Sequence, residues 1–257
     1  MKILVCIKQI ADPDSEIRIN NVSAWIDDCK NTLFRINRYD DYALEEALLI
    51  KDIYKDTIID IISVGPERVS STVKKSLEKG VNRGIHIRCN KDYISGPETA
   101  SLIAEYAKDK DYDIIFAGVM SEDLMQSQVG PLTAAHLSIP CAVSVTGSEL
   151  NSDFSRIKVI SELEGGVTEH IELTLPCLIT VQSGVNRPRY PSLSNVIAAR
   201  AMSIVAIDSD TLISTNHSGE AISIEYPVAA SKGIVIDGTA EEKAERFLGI
   251  LHERGIL

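Results

Sequence analysis

A chain of 257 residues is long enough to bury a sizeable core, as one α/β domain with an extension or as a domain plus a small second one. With 44% apolar and 25% charged side chains the composition is that of a globular protein and argues against disorder. A balance of 26 basic against 37 acidic residues, net charge -11, argues against nucleic acid or an anionic membrane surface as the main partner and suits a basic patch on another subunit better.

Ile3 to Lys8 is a short apolar run closed by Ala11-Asp12-Pro13-Asp14, which predicts a buried first strand and its exit loop. From Asp40 to Tyr54 apolar residues recur on a helical period, with Asp40 or Asp41 available as N-cap and Glu45 and Glu46 near the positive end of the dipole. Ile58 to Val64 predicts the next strand, and Gly65-Pro66-Glu67 opens a helix to Lys79 that Gly80 stops. Gly84 to Arg88, Asp113 to Gly118 and Pro140 to Val145 continue the strands, with helices expected over Pro97 to Lys108 and Gln128 to Leu137. Five strands alternating with helices imply an α/β fold with a doubly wound parallel sheet.

After residue 148 the rhythm changes. Arg156 to Leu163, Glu169 to Leu175 and Cys177 to Gln182 are strand-like and are expected as antiparallel additions, with Glu164-Gly165-Gly166-Val167 as a turn. Arg187 to Asn195 follows, where Pro188 and Pro191 fix φ and withhold backbone donors, so an extended arm is expected. Two arginines, a tyrosine and an isolated leucine on such an arm suit contact with another protein. Ser209 to Glu220 is polar, and Thr239-Ala240-Glu241-Glu242 caps a final helix with Ala244, Phe247, Leu248 and Leu251 on one face. The expected division is a nucleotide-binding domain over 1–183 and an arm with a docking helix over 184–257.

The cysteines at 6, 29, 89, 141 and 177 are odd in number and form no Cys-x-x-Cys pair, so neither a disulfide framework nor a zinc site is indicated. Cys6, Cys141 and Cys177 read as small buried hydrophobes. Five apolar residues between Lys2 and Lys8 are too few for a signal peptide, and no run approaches a membrane span, so a cytoplasmic setting without membrane insertion is expected.

In doubly wound sheets ligands bind at the carboxyl ends of the strands, where helix N-termini offer backbone N–H groups. Lys8 to Asp14, Asn37 to Asp41, Val64 to Pro66 and above all Gly118 to Gly130 belong to that edge. The last loop is polar and leads into a helix, so its amides with Ser127 and Gln128 suit a phosphate, although a simple capped helix reads the same way. There is no Gly-x-Gly-x-x-Gly, no P-loop, no Gly-x-Ser-x-Gly and no metal-ligand spacing of histidines. No catalytic residue is therefore assigned, and a nucleotide holder without catalytic equipment is the expectation.

Six blocks occur in one order: Lys2 to Lys8, Ile36 to Leu48, Ser63 to Pro66, Gln128 to Pro131, Glu164-Gly165-Gly166 with Leu175-Pro176, and Pro188 to Leu193. In these the chain resembles the beta subunit of electron transfer flavoproteins over essentially its whole length. The resemblance implies an adenine-nucleotide-binding, Rossmann-like domain in a heterodimer whose alpha subunit carries the redox FAD. It implies a carrier rather than an enzyme, shuttling electrons between an acyl-CoA dehydrogenase-type flavoprotein and another redox carrier. AMP, or a second FAD in bifurcating members, would be held by Cys6, Asn37, Arg38, Tyr39, Asp40 and Val64 together with Gly118, Ser121, Asp123, Gln126, Ser127, Gln128 and Val129. Tyr39 falls where relatives place an aromatic near the flavin, or is a half-buried aromatic at a helix start. Leu193 matches an exposed anchor for the dehydrogenase, flanked by Arg189 and Tyr190; packing against the alpha subunit is the alternative.

The loop Glu122 to Gly130 looks like the Fix-type subunits of anaerobic acyl-CoA and carnitine metabolism. Ser161 replaces a basic residue, Ser194 a proline, and only Arg200 remains of a lysine cluster, which points to a partner specificity of its own. The rivals are a subunit of a bifurcating, NADH-using complex with a second FAD, a stand-alone nucleotide-binding stress or signalling domain, and a nucleotide-dependent amide-forming enzyme, for which the Ser-Gly-Gly-x-Asp-type loop is missing.

Overall fold

The apolar run at the start of the chain forms strand β1 (Lys2–Cys6), and from it a central sheet grows in both directions. The computed structural model describes residues 1–20, 25–27, 31–212, 219–227 and 233–257; Cys29 and residues 213–218 of the polar stretch lie outside these. Short strands β2 (Gln9–Ala11), β3 (Ile19–Asn20), β4 (Trp25–Ile26) and β5 (Phe34–Ile36) follow, β2 pairing with β5 and β3 with β4. Helix α1 (Arg38–Ile53), β6 (Ile58–Gly65), α2 (Ser70–Leu77), β7 (Arg83–Arg88), α3 (Gly96–Ala107), β8 (Ile114–Gly118) and α4 (Val129–Leu137) then alternate as the sequence predicts. A short 3-10 turn, Glu67–Val69, precedes α2, and Ser95 caps α3 by accepting from the Glu98 amide.

Strands β9 (Cys141–Leu150), β10 (Arg156–Glu162), β11 (Thr168–Thr174) and β12 (Cys177–Val181) complete the middle of the chain. The order across the sheet is β11-β10-β9-β12-β8-β1-β6-β7-β13, where β13 is Ile204–Asp208. Strands β10 and β11 are antiparallel, as expected. The expectation for Cys177 to Gln182 is corrected: β12 inserts between β8 and β9, parallel to both. Its residues are buried without exception, and a strand covered on both faces has no polar alternation to show. Strand β13 was not anticipated; it pairs in parallel with β7 at the far edge.

Two layers cover the sheet. Ala43, Leu44 and Ala47 of α1 and Val73 and Leu77 of α2 pack with Ile3, Val5, Ile61, Phe116 and Ile179 on one face. Leu102 and Ile103 of α3 and Ala134 of α4 pack with Leu4, Ile62, Ile85, Ile115 and Leu178 on the other. The fold is thus a doubly wound α/β sheet, as the alternation implied. Cys6, Cys89 and Cys177 are buried free thiols and Cys141 is half-buried.

At the amino edge of the sheet, opposite the loops that lead to the site, Asp60 of β6 is 0% exposed. Its carboxylate accepts from Arg83 Nε at 3.1 Å and Nη2 at 2.8 Å, and from the Tyr112 hydroxyl at 2.8 Å. Burial and this carboxylate push the Tyr112 phenol well above its ordinary value.

The arm divides where an extended stretch was expected throughout. Arg187 to Pro191 carries no helix or strand, but Ser192 accepts from the Asn195 amide and caps α5 (Leu193–Arg200). A serine directly after the last proline is a good helix start, which overrides the extended reading from Ser192 on. By internal contacts the first compact unit spans Met1–Ile224 and the second Glu225–Leu257, so the residues of β13 fold with the sheet beyond position 183. The second unit holds α6 (Ala240–Glu253), whose capping box joins Thr239 and Glu242 as the sequence predicts. Among the described residues no helix is long and apolar enough to cross a membrane.

Candidate functional site: a cleft at the carboxyl edge

Chain leaving β1, β6 and β8 at their carboxyl ends opens a cleft of about 160 Å3. Of the expected contact residues, Cys6, Asn37, Asp40, Val64, Gly118, Ser121, Asp123, Gln126, Ser127, Gln128 and Val129 line it. Arg38 and Tyr39 do not: the Arg38 side chain is turned to solvent beside Glu122, and Tyr39 is half-buried behind Gly118.

The expectation of Asp40 or Asp41 as N-cap is corrected: Asn37 holds that position, and Asp40 is a buried staple in the first turn of α1. One carboxylate oxygen accepts from the Lys8 amide at 2.7 Å and the other from the Gly118 amide at 3.0 Å, so it ties the exits of β1 and β8 together. Two backbone donors approaching one group from different sides require two acceptor oxygens; an amide side chain has one. Burial pushes the Asp40 carboxyl up to about 7, against the pull of these N–H donors and of Asn37. Burial likewise raises the Cys6 thiol far above its ordinary value, so Cys6 is an apolar wall rather than a nucleophile.

Loop Val119 to Gln128 is held from its first half. Asn37 donates to the Met120 carbonyl at 2.9 Å and accepts from the Glu122 amide at 3.1 Å. The Glu122 carboxylate takes Arg35 at 3.2 Å and the Arg38 amide at 3.1 Å, and Lys8 Nζ pairs with Asp123 at 2.7 Å and Ser121 at 3.3 Å. Ser121 and Asp123 are thereby engaged within the chain. In the second half, Gln126, Ser127 and Gln128 are exposed side chains placed just ahead of α4, whose first-turn amides favour an anion. Gln9 also lines the cleft, and its Oε1 is buried without a partner among the described residues. An apolar floor with exposed amide and hydroxyl groups thus lies beside a helix N-terminus that favours an anion.

Sequence reasoning missed the far wall. Trp25 and Tyr93 meet at an interplanar angle of 58° with ring centroids 5.0 Å apart, Ile26 and Ile94 also line this wall, and Phe34 carries the Arg68 guanidinium 4.5 Å over its ring. The single tryptophan of the chain, in an otherwise polar stretch, was the available signal. Among the described residues no cluster of His, Cys, Asp and Glu is arranged to hold a metal.

The three expected docking residues part company. Tyr190 is 96% and Leu193 77% exposed, whereas Arg189 turns inward onto Glu45 and Asp52 of α1. Glu45 and Glu46, expected near the positive end of the dipole, are both buried, two turns into α1.

The model of the electron transfer flavoprotein domain matches residues 31–212. The electron transfer flavoprotein subunit beta of Methylophilus methylotrophus is 31% identical, covering 98% of this chain and 98% of its own length. That of Bacillus subtilis (strain 168) is 30% identical over 98% of this chain and 97% of its own, and that of Homo sapiens 26% over 94% of each. The chain belongs to the electron transfer flavoprotein family, as a homologue of its beta subunits.

Proposed function

We propose that this subunit pairs with an alpha subunit carrying the redox FAD and passes electrons from an acyl-CoA dehydrogenase-type flavoprotein to another carrier, itself holding one adenine nucleotide in the carboxyl-edge cleft. The observation that carries the proposal is the cleft's construction: a polar loop with exposed Gln126, Ser127 and Gln128 at the start of α4, over a floor of Cys6 and Val64. The protein's part is to hold and orient: the Ser121 hydroxyl meets Lys8, whose ammonium is itself paired with Asp123 and is no free base. A cytoplasmic setting is supported by the buried free thiols. Residues 184–257 we assign to docking and to the alpha subunit, which is supported by the exposed Phe247 and Leu248 on α6.

A second reading is favoured by the aromatic wall. Beyond the space next to α4 the same cleft is lined by Trp25, Phe34 and Tyr93, aromatic side chains of the kind that contact a planar ring system. On that reading the cleft takes a second FAD and the heterodimer is of the bifurcating, NADH-using kind. Counting nucleotides released from the denatured heterodimer separates the two. One FAD with one AMP is expected for the simple carrier, two FAD for the bifurcating form, and a cleft with neither would overturn both.

Leu193 is assigned as the docking anchor, an apolar side chain raised from polar surface. Replacing it by alanine is expected to raise the KM of an acyl-CoA dehydrogenase for the heterodimer about tenfold, the size of one lost hot-spot contact. Folding and flavin content should stay as they are, and an unchanged KM would remove the assignment.

A further inference from the structure

We infer that Arg189 and Asn186 are positioning residues, which lock the arm to two buried carboxylates of α1 and so hold Tyr190 and Leu193 in one presentation. The inference rests on the docking role given to Leu193 above, but its physical basis is separate. Arg189 Nε donates to both oxygens of Glu45, at 2.9 and 3.1 Å, its backbone amide donates to the same carboxylate at 2.9 Å, and Nη2 reaches Asp52 at 2.7 Å. Three residues earlier, Asn186 Nδ2 donates to the Tyr42 carbonyl at 3.0 Å and to Glu46 at 2.9 Å, and Ser148 satisfies the other oxygen of Glu46 at 2.7 Å.

Glu45 is 4% exposed, and a carboxylate so placed is tolerated only when paired and hydrogen-bonded. The guanidinium is therefore spent inside the subunit rather than offered to a partner. These carboxylates raise the Arg189 guanidinium above its ordinary value, and Arg189 in turn holds Asp52 below the usual carboxylate range. Past Leu193 the arm is fixed again: Asn195 lies against Gly80, where an added Cβ would come within 2.8 Å of its Nδ2, and Ala199 is buried in the core. Gly80, at φ +103°, provides both the backbone conformation and the room.

Between these pins Arg187 to Pro191 has no strand or helix to order it. Such a segment would lose much freedom on docking, and fixing it in advance removes that cost. The exposed pair is thus a pre-set surface, with its order supplied by side chains far away in sequence.

The test compares heterodimers carrying Arg189→Lys, Asp52→Ala and Leu193→Ala. Asp52→Ala removes the outer half of the clamp without stranding a buried charge, so it guards against a variant that merely fails to fold. Hydrogen exchange over residues 184–192 is expected to accelerate about tenfold in Arg189→Lys and less in Asp52→Ala, with β12 and α1 unchanged. In turnover of an acyl-CoA dehydrogenase reduced by its acyl-CoA, with the heterodimer as varied acceptor, KM should rise up to about tenfold while kcat holds. Unaltered exchange in both clamp variants would overturn the inference, as would faster exchange with an unaltered KM. Leu193→Ala should raise KM with exchange still slow; if its KM stays put, the docking reading falls while the exchange data judge the clamp on their own.

Discussion

Arg83→Met is expected to destabilise the subunit by about 3–5 kcal/mol, the cost of leaving a buried charge without its partner. Asp60 has no solvent access, and among the described residues the side-chain donor left to it once the guanidinium is gone is the Tyr112 hydroxyl, a neutral group at 2.8 Å. The strand register makes the pair obligatory, since Asp60 and Arg83 are opposite one another on β6 and β7. Urea denaturation of the heterodimer measures the loss, and adding Asp60→Asn in the same background should recover part of it, because a neutral amide is cheaper to bury. A loss below about 1 kcal/mol, the range of surface pairs, would mean that solvent reaches the carboxylate and that the pair is not a keystone of this edge.

Gly118→Ala is expected to empty the cleft and cost about 2–3 kcal/mol, as overpacking at a fixed backbone does. A Cβ there would stand 2.4 Å from Asp40 Oδ1, 2.6 Å from Tyr39 Cβ and 2.8 Å from the Tyr39 carbonyl carbon. None of these is the free end of a flexible side chain. Relief would require α1 to back away from β8, which breaks the Asp40 staple between the Lys8 and Gly118 amides and shifts the loop proposed to hold the nucleotide. Nucleotide content per purified heterodimer reads this directly. Retention of a full complement in Gly118→Ala would show that the staple does not shape the site.

How much of this was visible beforehand depends on how local the determining contacts are. The run Ile3 to Cys6 and the helical period after Asp40 announce themselves because burial writes the pattern into neighbouring residues. Cys177 to Val181 has the same all-apolar signature, yet its place between β8 and β9 is a matter of strand order, which no residue in the segment encodes. The strand was grouped with the two antiparallel ones beside it in sequence, and that inference failed. The burial of Glu45 and Glu46 is equally non-local: it depends on Arg189 and Asn186, well over a hundred residues on, being placed against them. For the cleft, the rule that ligands lie at strand carboxyl ends located the loop Gly118 to Gly130, whereas Trp25 and Tyr93 come together across long connections and left no periodic trace.

Strand β13 gives the arm a further property. The chain leaves the middle of the sheet at Val181 and re-enters at its edge at Ile204, so both ends of the intervening segment are sewn into regular hydrogen-bonded ladders. The side chains of Tyr190 and Leu193 at its tip can therefore be altered without disturbing register on either side, while Asn186, Arg189 and the cap Ser192 stay with the scaffold. Under the docking role proposed above, a few exposed side chains set the choice of partner apart from the carboxyl-edge cleft, which is built from other loops.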